Sequence, residues 1–181
     1  MKHSKKIWLT LSTILLVCLF ACKNNTQKFN PELTSLNLLQ GDILLCGNGD
    51  FGKVDWALSC SYETRDNFNL AISLLHSFEH DEAQKVFAKV IADDPECAMA
   101  YWGVAMCKFY SLWRPPTNAQ FKEGASAIKI ARAISNKSEK ETDYIEALAE
   151  LYTNWVEVNH KSRMNNYANA MGKIYEKYPD D

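Results

Sequence analysis

Small and large apolar residues recur in this chain at the spacing of a two-helix repeat. Leu70, Ala71 and Leu74 are followed by Ala83, Phe87 and Val90 and then by Pro95, which reads as a helix, a turn, a second helix and a stop. Tyr101 and Ala105 lie 34 positions after Asn67 and Ala71, so a second copy begins on schedule for a repeat of ~34 residues. A unit of this kind cannot bury its apolar face alone. It stacks on neighbours and leaves a concave wall. The spacing therefore predicts an all-α, right-handed helical-repeat stack of about three helix pairs over residues 60–181, one domain for a chain of this length.

Local signals set the expected elements. The first pair runs from Tyr62 to Phe78 and from Asp81 to Ala92, with Asp81 and Glu82 placing negative charge at the second helix's positive end. Pro95 disfavours helix at the residue before it and closes the unit. The next helix is expected from Glu96 to Tyr110, followed by a loop, Ser111 to Pro116. Thr117 with Gln120 and Ser138 with Glu141 have the spacing of capping boxes and open two further helices. A last helix, Ser162 to Tyr178, carries Tyr167, Ala170, Met171, Ile174 and Tyr178 on one apolar stripe. Residues 31–59 are punctuated by Pro31, Gly41, Gly47, Gly49 and Gly52, and are read as an irregular cap over the apolar end of the first repeat.

The N-terminus reads as an export signal. Lys2, Lys5 and Lys6 precede an apolar run from Ile7 to Phe20, which is shorter than the ~20 residues that cross a bilayer. Leu19-Phe20-Ala21-Cys22 resembles a bacterial lipobox, which implies cleavage after residue 21, lipidation of Cys22 and a polar tether over residues 22–30. A plain secretory signal or an uncleaved anchor is the alternative. The expected address is the bacterial cell envelope, lipid-anchored, on the periplasmic side of the outer membrane. Loss of residues 1–21 removes three lysines and no acid, leaving 17 basic against 22 acidic side chains, a net charge of −5. No clustered basic face of the kind nucleic acid requires is present.

Export leaves Cys46, Cys60, Cys97 and Cys107 in an oxidising compartment, with three pairings open. Cys60 opens the first repeat and Cys97 the second, so stacked helix starts would bring these two together; buried free thiols are the other reading. The order His76, Phe78, Glu82, Ala83, Phe87, Asp94-Pro95-Glu96-Cys97-Ala98-Met99-Ala100-Tyr101-Trp102-Gly103-Val104-Ala105-Met106, then Leu112-Trp113-x-Pro115-Pro116-Thr117, resembles a group of exported bacterial tetratricopeptide-repeat lipoproteins. The resemblance covers roughly residues 51–181 and implies an all-helical repeat fold in the envelope, with no established reaction. Tyr101 stands where that group commonly has a histidine. The group also commonly continues with further helix pairs, so the chain is read as an N-terminal portion of a longer protein, or as one that self-associates through its last helix.

No metalloprotease, nucleophile-elbow or phosphate-loop motif occurs, and neither catalytic residues nor a metal or cofactor is expected. The inner wall is more informative. Carrying over the repeat pattern places Arg65, Phe68 and Ile72 of the first unit, Met99, Trp102, Met106, Phe109 and Tyr110 of the second, and Tyr152 of the third on a partner-binding groove. Aromatic and Met residues on a concave wall suit capture of a peptide or extended ligand. The expected function is a non-catalytic scaffold or adaptor for a protein or peptide partner. The alternative is a nutrient-capture lipoprotein presenting a glycan or peptide to an outer-membrane transporter, which would need rings lying flat and exposed.

Overall fold

A computed structural model describes residues 31–45, 51–109 and 114–181. The leader, Cys22 and the tether lie outside the described residues, as do Cys46, Tyr110 and Trp113. All regular secondary structure among the described residues is helical: α1 (Pro31–Thr34), a 3₁₀ turn (Tyr62–Thr64), α2 (Arg65–His76), α3 (His80–Asp93), α4 (Ala98–Cys107), α5 (Asn118–Ala133), α6 (Glu139–Tyr152) and α7 (His160–Lys177). No described helix is long and apolar enough to cross a membrane.

Chemistry at the helix ends explains these limits. Tyr62 to Thr64, expected to open the first helix, wind tighter because the Thr64 N–H and hydroxyl both donate to the Ser61 carbonyl, at 3.2 and 2.9 Å. The next helix starts at Ala98 rather than Glu96, since Pro95 has no N–H and the Glu96 N–H is taken by the Asp94 carboxylate at 3.2 Å. Both capping boxes form, with the Gln120 N–H donating to Thr117 Oγ1 at 3.3 Å and the Glu141 N–H to Ser138 Oγ at 3.2 Å. The last helix begins at His160, two residues before the expected Ser162, with the Asn159 side chain accepting from the Ser162 N–H at 2.9 Å.

Each helix from α2 to α7 packs on the next, and short connections turn neighbours back on one another. α2 also meets α4, and α4 meets α6. α4 sits in the middle of this arrangement, and every one of its residues except Met106 is buried. Two close approaches require glycine there. A Cβ on Gly103 would lie 2.3 Å from the Phe87 ring, and one on Gly124 would lie 2.2 Å from the Tyr152 ring. Tyr152 fills that space and donates its hydroxyl to the Ala105 carbonyl at 2.6 Å.

The irregular N-terminal stretch is tied down in two places. Leu36 enters the core, and Gln84, Glu82 and Lys85 of α3 bond the backbone at Asn37, Leu44 and Asp42. Further on, residues 53–61 run as a strap to α6. There the buried Glu141 carboxylate accepts from the Ser59 N–H at 2.9 Å and the Ser59 hydroxyl at 2.6 Å. A disulfide joins Cys60 to Cys97, with Cα atoms 4.6 Å apart, and Cys107 is a buried free thiol.

Candidate functional site

A cavity of about 650 Å³ opens beside the first helices of successive pairs. α2 contributes Ile72, Leu75 and His76; α4 contributes Trp102 and Met106, with Phe109 just beyond it. Tyr144 comes from α6, Tyr167 and Met171 from α7, and Val54, Asp55 and Trp56 from the strap. Phe78 and His80 stand at the α2–α3 turn, and Asp181 adds a carboxylate. This volume lies inside the ~300–1,000 Å³ range of ligand pockets, and the mostly apolar, aromatic lining with few polar groups is typical of them.

The rings are held by one another. Trp56 meets Phe68, Trp102 and Tyr144 edge to face, with centroids 6.0, 5.7 and 5.1 Å apart. Trp102 and Tyr144 are 6.2 Å apart at 86°. At the far end Phe109 packs against Phe121 and Tyr152 and stacks on His160, at 5.9 Å and 14°.

Phe78 occupies an unusual position. α2 ends in a Schellman arrangement, in which the Phe78 N–H donates to Leu75 at 3.2 Å and the Glu79 N–H to Leu74 at 3.0 Å. That ending puts Phe78 at φ 63°, a conformation in which glycine is usual. The ring is 55 % exposed at the cavity's edge.

Electrostatics follow from burial and from specific partners. Burial lowers the His80 pKa below its ordinary value, against the pull of Asp81. Burial also works to raise that of Asp181, but hydrogen bonds from Lys140 and Tyr144 hold its carboxyl below the usual range. Tyr144 is pushed up by burial and by its 2.6 Å bond to Asp181. Burial, with Glu96 and Asp94 adding to it, takes Tyr101 up to about 12; its hydroxyl donates to the Pro95 carbonyl at 3.0 Å.

The predicted groove divides. Ile72, Trp102, Met106 and Phe109 line the cavity. Phe68, Met99 and Tyr152 do not: all three are enclosed in the core, because the strap covers the first, α4 is surrounded on all sides, and Tyr152 is drawn over Gly124. Arg65 lies outside the lining, with its guanidinium 5.2 Å over the Tyr62 ring. Tyr110 is outside the described residues. Cys60, Cys97 and Asp94 gather within 4.8 Å of one another, but the disulfide occupies both sulfurs and Asp94 accepts from the Ser61 N–H at 2.7 Å, so no metal centre is built there.

Sequence reasoning missed the strap wall. Val54, Trp56 and Leu58 are half-buried while Lys53, Asp55 and Ala57 are exposed, and that alternation of one in, one out was present in the sequence as an extended stretch with one apolar face. No family model matches the chain, and no curated protein or solved structure matches it.

Proposed function

We propose that the protein is a non-catalytic binding protein of the cell envelope, anchored by a lipid on Cys22, whose helix pairs stack as a right-handed, tetratricopeptide-like repeat and capture a segment of a partner protein in the cavity. The observation that carries this reading is which elements line the cavity: α2, α4 and α6 supply most of its helical wall, and these are the first helices of their pairs. Of the second helices, α5 supplies nothing to it, α3 only His80 at its start, and α7 supplies Tyr167 and Met171 at the end of the stack. The contacts of α2 with α4 and of α4 with α6 fit a stack in which first helices form the inner wall. The polar groups favour holding over chemistry, because the Asp181 carboxylate is engaged by Lys140 and Tyr144. Glycan capture is the weaker reading. Trp102 is only 7 % exposed, and the Trp56, Trp102 and Tyr144 rings meet edge to face rather than lying flat and open.

Photo-crosslinking in cells tests this. A benzophenone amino acid at Phe78 or Met171 is expected to give a discrete protein adduct. The same group at Val156 or Tyr175, which are exposed away from the cavity, is expected not to. Adducts from all four positions alike, or from none, would overturn the reading.

A further inference from the structure

We propose that the part of the partner's segment entering the cavity is a large, uncharged apolar side chain of the size of leucine or phenylalanine, seated against Ile72, Leu75, Trp102, Met106 and Met171; this rests on the capture reading above. Helices α2, α4 and α7 bring these five residues to one space of about 650 Å³. A large side chain gains more dispersion contacts there than a small one. Met106 and Met171 are unbranched thioethers, which adapt to the shape that enters. The apolar surface continues outward through Phe78, whose ring is 55 % exposed at the cavity's edge, so residues flanking the anchor have a ring to cover. An apolar anchor in a pocket, ringed by contacts that exclude water, is a common energetic centre of protein interfaces.

Charge selects against an ionised group of either sign. The lining carboxylate bonded to the ring cluster, Asp181, accepts from the Tyr144 hydroxyl at 2.6 Å and is ion-paired with Lys140. Lys140 Nζ in turn lies 5.8 Å from the Trp56 centroid. An incoming ammonium therefore meets a neutralised carboxylate and a fixed cation already beside the rings. An incoming carboxylate meets a cation whose charge Asp181 already balances. Burial favours the neutral form of His80, while Asp55 and His76 are exposed to water at the edge of the lining. A charge placed against the apolar wall would lose its water for no new counter-ion, which makes burying an ion unfavourable. An uncharged side chain avoids that cost and gains from leaving water.

The test titrates the full chain, in detergent micelles, with the Nα-acetyl N-methylamides of phenylalanine, norleucine, lysine and glutamate, following tryptophan fluorescence. Wild type and variants share the same micelle, so partition of a probe into it cancels between them. The phenylalanine and norleucine amides are expected to saturate the signal, with the lysine and glutamate amides weaker by about tenfold or more, the ratio set by 1.4 kcal/mol. Met106→Glu is expected to weaken the phenylalanine amide by about tenfold or more. Met106→Leu, which conserves volume, is expected to stay close to wild type. If circular dichroism shows Met106→Glu unfolded, Met171→Glu on the half-buried face of α7 replaces it, with the same loss expected. A lysine or glutamate amide binding as tightly as phenylalanine, an unchanged response in the folded Glu variant, or no response to either apolar amide would overturn the proposal. Saturation by 1-octanol without either apolar amide would overturn it too, pointing instead to a free lipid chain. If the amides fail while the crosslinked adducts at Phe78 and Met171 persist, the apolar anchor falls and partner capture stands; loss of the adducts removes capture itself.

Discussion

Phe78 shows how one residue links backbone, packing and site. The left-handed conformation at φ 63° brings a side chain's Cβ close to its own carbonyl, a cost glycine avoids. Nothing in the α2 ending demands a large ring there, because the Schellman bonds are made by backbone atoms. Phe78→Ala keeps the strained backbone and loses the ring, while Phe78→Gly loses the ring and the strain together. Urea unfolding is expected to place the glycine variant about 1 kcal/mol above the alanine variant. Equal stabilities of these two ringless variants would show that the left-handed backbone at this position carries no such cost. Other residue-scale features were half legible. Gly103 and Gly124 are visible in the sequence as glycines inside apolar helices, but the rings that exclude a Cβ at each come from other elements.

At the scale of elements, Glu141 has two tasks that only one register of the strap allows. Its N-cap partner was readable from the spacing to Ser138, and the Ser138 N–H does donate to its carboxylate at 2.6 Å. The same carboxylate also holds Ser59, 82 positions away, and no local pattern records that pairing. Removing it leaves the part-buried Ser59 amide without this acceptor, at about 1–3 kcal/mol, and takes away one half of the Ser138 capping box, at about 1 kcal/mol. Glu141→Ala is therefore expected to lower stability by about 2–4 kcal/mol, and to speed hydrogen exchange at residues 53–59 more than in α2. Uniform exchange across the chain would mean that the strap is not held mainly here. Helix existence, by contrast, was legible element by element, because apolar period, capping boxes and Pro95 are all local signals.

For the whole molecule, the disulfide links the end of the strap to the start of α4 and closes a loop of sequence separation 37. Constraining the unfolded chain over that distance contributes about 3–4 kcal/mol. Cys60→Ser with Cys97→Ser is expected to lose that much in denaturant titrations. Because Trp56 lies only four residues before Cys60, the variant should also reduce the crosslinked adducts expected at Phe78 and Met171; a variant with unchanged stability and adducts would show that the hydrogen bonds of Ser59 and Ser61 hold the strap without the disulfide. The sequence by itself determined the helical class, the order of the helices and most of their ends, since these follow from spacings of three and four residues and from capping chemistry within one turn. It also marked Ile72, Trp102, Met106 and Phe109 as wall residues. What tertiary structure decided was which apolar residues reach the cavity. Phe68, Met99 and Tyr152 have the same periodicity as the wall residues, but the strap, the central position of α4 and the space over Gly124 enclose them. Periodicity reports the face of a helix, and only packing between distant segments decides whether that face meets the core, the cavity or water.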